Sequence, residues 1–201
     1  MSFNLIRIRY WAEKRITEPL VASIAETGIT PDILTWVGFT TALVAAALVA
    51  MGHFISGAVI LLLAGVFDML DGALARFKNQ ETRFGAFLDS TLDRLSEICL
   101  LLGLLIFCLS KNMTVEAVLI FIVMAMSMLV SYVRARAEGL GVRCDVGLFT
   151  RPERVIVLAL GLFLNKLLPA LLILAVFSCI TVIQRVIKVK KETSRRHTAV
   201  I

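Results

Sequence analysis

The sequence predicts an all-α integral membrane protein in which six transmembrane helices follow an N-terminal amphipathic helix lying in the membrane interface. Three observations point to this class. Hydrophobic residues make up 59% of the 201 and charged residues 18%, with a mean hydropathy of +0.89, whereas a soluble domain carries about a quarter charged residues. The apolar residues gather into runs long enough to cross a bilayer. The lysines and arginines, in a chain of net charge +6, collect at alternate connections between those runs.

Each element follows from local signals. Over residues 2–25, Leu5, Ile8, Ala12, Ile16, Leu20 and Ile24 recur at helical spacing while Arg7, Arg9, Lys14 and Arg15 form a basic side. Such a helix lies in the headgroup plane; a cytosolic helix packed on a partner is the plainer alternative. The stretch has no compact apolar core, so no signal peptide is expected. Thr30-Pro31 starts the first span, Thr30 as a cap and Pro31 at a position where its missing N–H costs nothing. That span runs from Pro31 to Met51, and Gly52-His53 turns the chain. The next spans are expected over Ile55–Phe77, Gly85–Leu109 and Val115–Ala137. A glycine-containing polar loop occupies Glu138–Thr150. A short fifth span covers Pro152–Leu164, and the sixth covers Leu167–Val189. The polar tail from Lys190 reads as disordered. The organisation is thus an interfacial helix (1–28), a six-span domain (29–190) and a tail (191–201).

The connections after spans one, three and five carry only Lys111 and Lys166, while the opposite face holds most of the arginines. The positive-inside rule makes that opposite face cytoplasmic, with both termini on it, in a multi-pass protein of the cell membrane. The basic balance is explained by this flanking role, and the phosphates these cations meet belong to lipids or anionic substrates rather than to nucleic acid. Cys99, Cys108, Cys144 and Cys179 are scattered without a C-x-x-C pair, which argues against a disulfide framework or a zinc site.

Chemistry concentrates between Phe67 and Glu97. Asp68 and Asp71 share one face of the second span, and Asp89 and Asp93 share one face of the third. The short connection makes the two helices antiparallel neighbours, so the four carboxylates converge near one membrane face. A single aspartate at a span's centre costs roughly 2.5–3.5 kcal/mol, and crowding adds repulsion. Two divalent cations would balance the charge, and an all-oxygen donor set favours Mg²⁺ or Mn²⁺ over zinc. Gly72 and Gly85, with Ala73 and Ala75, leave room for a ligand beside the carboxylates, and Arg76 stands one turn on, in reach of a phosphate. Surface aspartates that merely neutralise nearby arginines explain such a pattern poorly. A carboxylate-lined cation transporter is the rival class, disfavoured because the cluster sits at one face rather than at mid-depth.

The pattern Asp68-x-x-Asp71-Gly72-x-x-Ala75-Arg76, then eight residues, then Gly85-x-x-x-Asp89-x-x-x-Asp93 resembles the signature of the CDP-alcohol phosphotransferase family. The resemblance extends to the six-span layout and covers most of the chain. It implies a homodimer, with a site in each protomer open to the cytoplasm and two Mg²⁺ or Mn²⁺ ions per site. It implies that Asp68 and Asp89 touch both ions, Asp71 mainly the first and Asp93 the second, with Asp93 also the general base. Gly72, Ala75 and Arg76 would line the nucleotide site beside Gly85. Thr82, Thr30, Pro31, Asp32 and Thr35 would make further contacts to the CDP-lipid, although the family often has Asn where Asp32 stands.

Two later motifs bear on the acceptor alcohol. Ser131-Tyr132-Val133-Arg134-Ala135-Arg136-Ala137-Glu138 and Arg151-Pro152-Glu153-Arg154 are similar to motifs of the bacterial phosphatidylinositol-phosphate and archaeal archaetidylinositol-phosphate synthases, with Arg134 in place of the usual Lys. The resemblance implies an inositol phosphate acceptor. Arg134, Arg151 and Arg154, with Arg136 or Arg185 as further candidates, are the residues expected to hold its phosphate, a dianion that arginines suit. Glycerol phosphate, the acceptor of phosphatidylglycerol-phosphate synthases, is the competing choice.

Overall fold

A computed structural model describes residues 18–198, so most of the expected interfacial helix lies outside the described residues. Among the described residues every regular element is a helix, and there are no strands. The elements are α1 (Glu18–Glu26), α2 (Pro31–Ala50), α3 (Phe54–Phe77), α4 (Arg83–Ser110), α5 (Thr114–Gly139), α6 (Arg151–Phe163) and α7 (Leu167–Thr198).

Four of these, α2, α3, α5 and α7, are long and apolar enough to cross a membrane. The 20 residues of α2, at about 1.5 Å each, extend about 30 Å, the thickness of a bilayer's hydrocarbon core. The other two expected spans differ. Helix α4 has ample length, 28 residues, but its first half carries the acidic stripe. Helix α6 has 13 residues and reaches only about 20 Å. Large apolar side chains such as Val44, Phe121, Leu160 and Ile183 point outward from the bundle, as lipid-facing residues do.

Small residues let the helices approach closely. A Cβ on Gly103 of α4 would run into the carbonyl of Ala46 on α2, and one on Gly161 of α6 would strike the Ala170 methyl of α7. Interfaces of this type favour glycine and alanine because in lipid it is close packing that holds helices together. Leu101, Leu104, Ile120, Leu171 and Leu174 fill the space inside.

The boundaries follow local chemistry. Thr30 is the N-cap of α2 with Pro31 next to it, as expected, although its side chain makes no capping bond. Helix α4 starts two residues earlier than expected, because Thr82 caps it by accepting a hydrogen bond from the Gly85 N–H at 2.8 Å. The Thr150 N–H donates to the Glu153 carboxylate at 2.9 Å and closes a capping box at the start of α6. Asn79, Asn112 and Asn165 end helices in the left-handed region at φ 53°, 56° and 52°, a conformation that asparagine tolerates. Helix α7 continues past Val189 to Thr198 where a disordered tail was expected. The Lys188–Glu192 pair, one turn apart at 2.5 Å, supports the extension.

The packing also departs from one expectation. Helix α2 lies against both α3 and α4, α6 packs on α3, and α5 and α6 pack on α7. Helices α3 and α4 are not closely packed on each other. They face one another across a cleft, since crowded carboxylates and the space beside them keep the backbones apart.

Candidate metal centre and substrate clefts

The ends of α3 and the starts of α2, α4 and α6 meet at one end of the bundle. From α3 comes Asp68 and from α4 come Asp89 and Asp93, and one ligand oxygen from each of these three lies within 4.8 Å of the others. Such a set, with its oxygen donors partly buried, suits a hard divalent cation. Asp71 stands outside this group. It is 3% exposed; Oδ1 accepts the Gly72 N–H at 2.5 Å, while Oδ2 is buried without a hydrogen-bond partner. An orphaned carboxylate oxygen beside three convergent ones is what a ligand set for metal leaves open, so the residues present fit the ions expected.

Two clefts meet at this cluster and share Thr35, Asp71 and Asp89. One, with a cavity volume of about 210 Å³, is lined by Pro31, Asp32, Thr35, Gly72, Ala75, Arg76, Thr82 and Gly85. The structure thus brings together every residue expected to contact the CDP-lipid except Thr30, which caps α2 outside the lining. Gly85 has no space for a side chain, since a Cβ would sit 2.9 Å from the Thr82 hydroxyl and 3.6 Å from Asp32. The Lys78 ammonium fixes the nearby end of α3 by donating to the Ile29 carbonyl at 2.8 Å.

The other cleft is narrow, with a cavity volume of about 50 Å³, and runs from the carboxylates down between apolar walls that include Ala42, Leu61 and Leu100. Arg151 and Arg154 lie at its polar end, on one face of α6. Arg151 pairs with both Asp68 and Asp93, at 2.5 Å from the latter. Arg154 is 3% exposed and grips Glu97 with two hydrogen bonds, 2.7 Å from Nε and 3.0 Å from Nη2. The third arginine of the expected acceptor set, Arg134, is not in this lining; it pairs with Glu138 at 2.8 Å on an exposed stretch of α5.

One residue of this region escaped the sequence reading. Glu97 continues the Asp89–Asp93 stripe by one more helical turn, a signal that was available. Arg185 of α7 is buried and donates to the carbonyls of Val130 and, at 3.0 Å, Val146. The sequence offers it as a further candidate for the acceptor's phosphate, but it lies bonded to backbone and outside the lining of this cleft.

A bundle of apolar helices that opens, beside clustered carboxylates, onto both a polar cleft and an apolar one is built to act on an amphiphile with the help of metal. The chain belongs to the CDP-alcohol phosphatidyltransferase family, whose family model matches residues 28–187. It is 40% identical over 180 residues to the phosphatidylinositol phosphate synthase of Mycobacteroides abscessus, covering 85% of this chain and 82% of that protein. It is 38% identical to the archaetidylinositol phosphate synthase of Methanothermobacter thermautotrophicus over 182 residues, covering 88% and 89% of the two chains. Among solved structures it resembles the Mycobacterium tuberculosis phosphatidylinositol phosphate synthase with CDP-DAG bound, with a TM-score of 0.80, 36% identity, and 87% and 94% of the chains covered. The same enzyme in complex with manganese and citrate gives a TM-score of 0.78.

Proposed function

We propose that this protein transfers a phosphatidyl-type group from a CDP-lipid to a hydroxyl of inositol phosphate and releases CMP. The observation that carries this reading is the meeting of Asp68, Asp89 and Asp93 within 4.8 Å on the edge of the cleft lined by the signature residues Gly72, Ala75, Arg76 and Gly85.

In this reading Asp68, Asp71, Asp89 and Asp93 hold two divalent ions, Mg²⁺ or Mn²⁺. Bound there, the ions supply positive charge that polarises the pyrophosphate and stabilises the leaving CMP. The chain's own groups do the rest. Gly72 and Gly85 leave the wall flat for the nucleotide, and Arg76 offers a guanidinium to its phosphates. Asp93 takes the proton from the acceptor hydroxyl, whose own pKa makes it a poor nucleophile. The oxygen then attacks the phosphorus that bears the lipid, and the bond to the CMP oxygen breaks. The apolar cleft below the carboxylates suits hydrocarbon, and Arg151 and Arg154 face the side from which an anionic acceptor approaches.

The same reading makes α2–α7 the six crossings of a domain over residues 29–190. It places both termini and the site on the cytoplasmic side of the cell membrane, and two chains associate as a homodimer.

The test supplies purified protein in detergent with CDP-diacylglycerol, and in parallel with labelled inositol phosphate, glycerol phosphate, serine and inositol. Label entering lipid from inositol phosphate, with CMP released only when Mg²⁺ or Mn²⁺ is present, is the expected result. CMP release that persists in EDTA, or in Asp93→Asn at the wild-type rate, refutes the mechanism. Label entering only from glycerol phosphate replaces the acceptor.

A further inference from the structure

Arg151 touches two of the carboxylates with a single nitrogen. Its Nη1 reaches one oxygen of Asp68 and one of Asp93, the latter at 2.5 Å. Both residues belong to the group whose ligand atoms converge for a metal. One guanidinium nitrogen therefore takes up the place between two carboxylates that a cation would share, and the two cannot use the same oxygen lone pairs at once.

The hold of Arg151 on this place is incomplete. Its Nε is buried without a hydrogen-bond partner. It is also the first residue of α6, where the helix macrodipole disfavours a positive charge, so its lodging depends on the two aspartates. Arg154, three residues on, is the opposite case. Its paired bonds to Glu97 at 2.7 and 3.0 Å are the bidentate geometry that locks an arginine in place. Helix α6 is thus docked on the acidic stripe of α4 by a rung that involves no residue of the metal group, and it presents a second arginine that does.

We propose that Arg151 is an exchangeable counter-ion of the metal centre: it competes with divalent cations for Asp68 and Asp93, and cation binding frees its guanidinium for the anionic acceptor while Arg154–Glu97 keeps α6 in register. This rests on the metal-centre reading given above and assigns Arg151 a place in the order of binding. The site loads metal first and acquires its acceptor-facing cation as a consequence. Before loading, the arginine limits the repulsion among the aspartates.

The experiment is an Mn²⁺ titration of the full-length, chelator-stripped protein in detergent, followed by the electron paramagnetic resonance signal of free Mn²⁺, with no lipid or acceptor present. Arg151→Gln and Arg151→Met remove the competitor. Arg94→Gln is the control, because it removes a positive charge from the same neighbourhood, 3.8 Å from Glu97, without touching Asp68 or Asp93. The Kd of the Arg151 variants is expected to fall about tenfold. A fall at least fivefold larger than that of Arg94→Gln supports competition; any smaller difference overturns it, because through-space charge then accounts for the change. If one Arg151 variant does not fold, the other decides by the same criterion. A wild-type protein that binds no Mn²⁺ sinks the metal-centre reading itself, and this result is distinguishable from wild type and variants that bind equally well.

Discussion

Replacing Glu97 by alanine removes the acid that holds Arg154 and leaves a buried arginine without its counter-ion. Arg154 is 3% exposed, and the contact that remains to it is the Phe149 carbonyl, at the long distance of 3.5 Å. Deleting one partner of a buried ion pair costs about 3–5 kcal/mol, because an uncompensated charge stays inside. In a chain of this size each kcal/mol lowers the unfolding midpoint by about 2–4 °C, so Glu97→Ala should melt roughly 6–20 °C below wild type. The same reasoning predicts that removing both charges is far milder. Glu97→Leu with Arg154→Met replaces the pair by apolar side chains of similar size, and its midpoint should lie within about 4 °C of wild type, since such replacements are often neutral or stabilising. The assay heats detergent-solubilised protein and measures the monodisperse fraction by gel filtration. A single variant within 2 °C of wild type, on the order of the smallest shift that 1 kcal/mol produces, would show that Arg154 has another outlet. A double variant as damaged as the single one would show that the loss lies in packing and not in the stranded charge.

Further outcomes are expected. Asp93→Asn should lower CMP release by about 10²–10⁴-fold, the usual worth of a positioned base, with an unchanged circular dichroism spectrum. Gly103→Ala drives a methyl into the Ala46 carbonyl and should cost about 1–3 kcal/mol in the same melting assay; Gly65→Ala, which meets nothing within 4 Å, should hold or gain stability. Gly85→Ala pushes the Thr82 hydroxyl off the start of α4 and should cost about 1 kcal/mol through the lost cap, read as a lower midpoint. Stripping metal with EDTA should abolish CMP release, and adding back Mn²⁺ or Mg²⁺ should restore it.

Much of this molecule is legible from its residues, and the exceptions have physical reasons. Apolar runs and turn residues such as Asn112 and Gly52 mark the helices, because a membrane leaves the backbone few other choices. The i, i+3 and i, i+4 spacing of the aspartates tells which face each pair shares. Spacing does not tell what lies opposite. Glu97 sits on the Asp93 face, but its partner is fifty-seven positions away and belongs to a helix whose rotation no local pattern fixes. Arg134 and Arg154 look alike as motif residues, yet one is half exposed and the other buried, because α5 and α6 turn different faces to the bundle. The width of the gap between α3 and α4 is not legible in the sequence for a related reason. A short connection brings two helix ends together and says nothing about the space between their axes.

The shortness of α6 has a consequence for the membrane around it. In the six-crossing reading proposed above, its 13 residues fall about 10 Å short of the hydrocarbon thickness, and lipids beside it would have to sink or compress to meet it. On that reading the leaflet on the aspartate side would dimple where Arg151 begins the helix. A donor lipid drifting laterally into such a depression would arrive with its phosphates level with the carboxylates, and the protein would not need to lift it out of the bilayer to react.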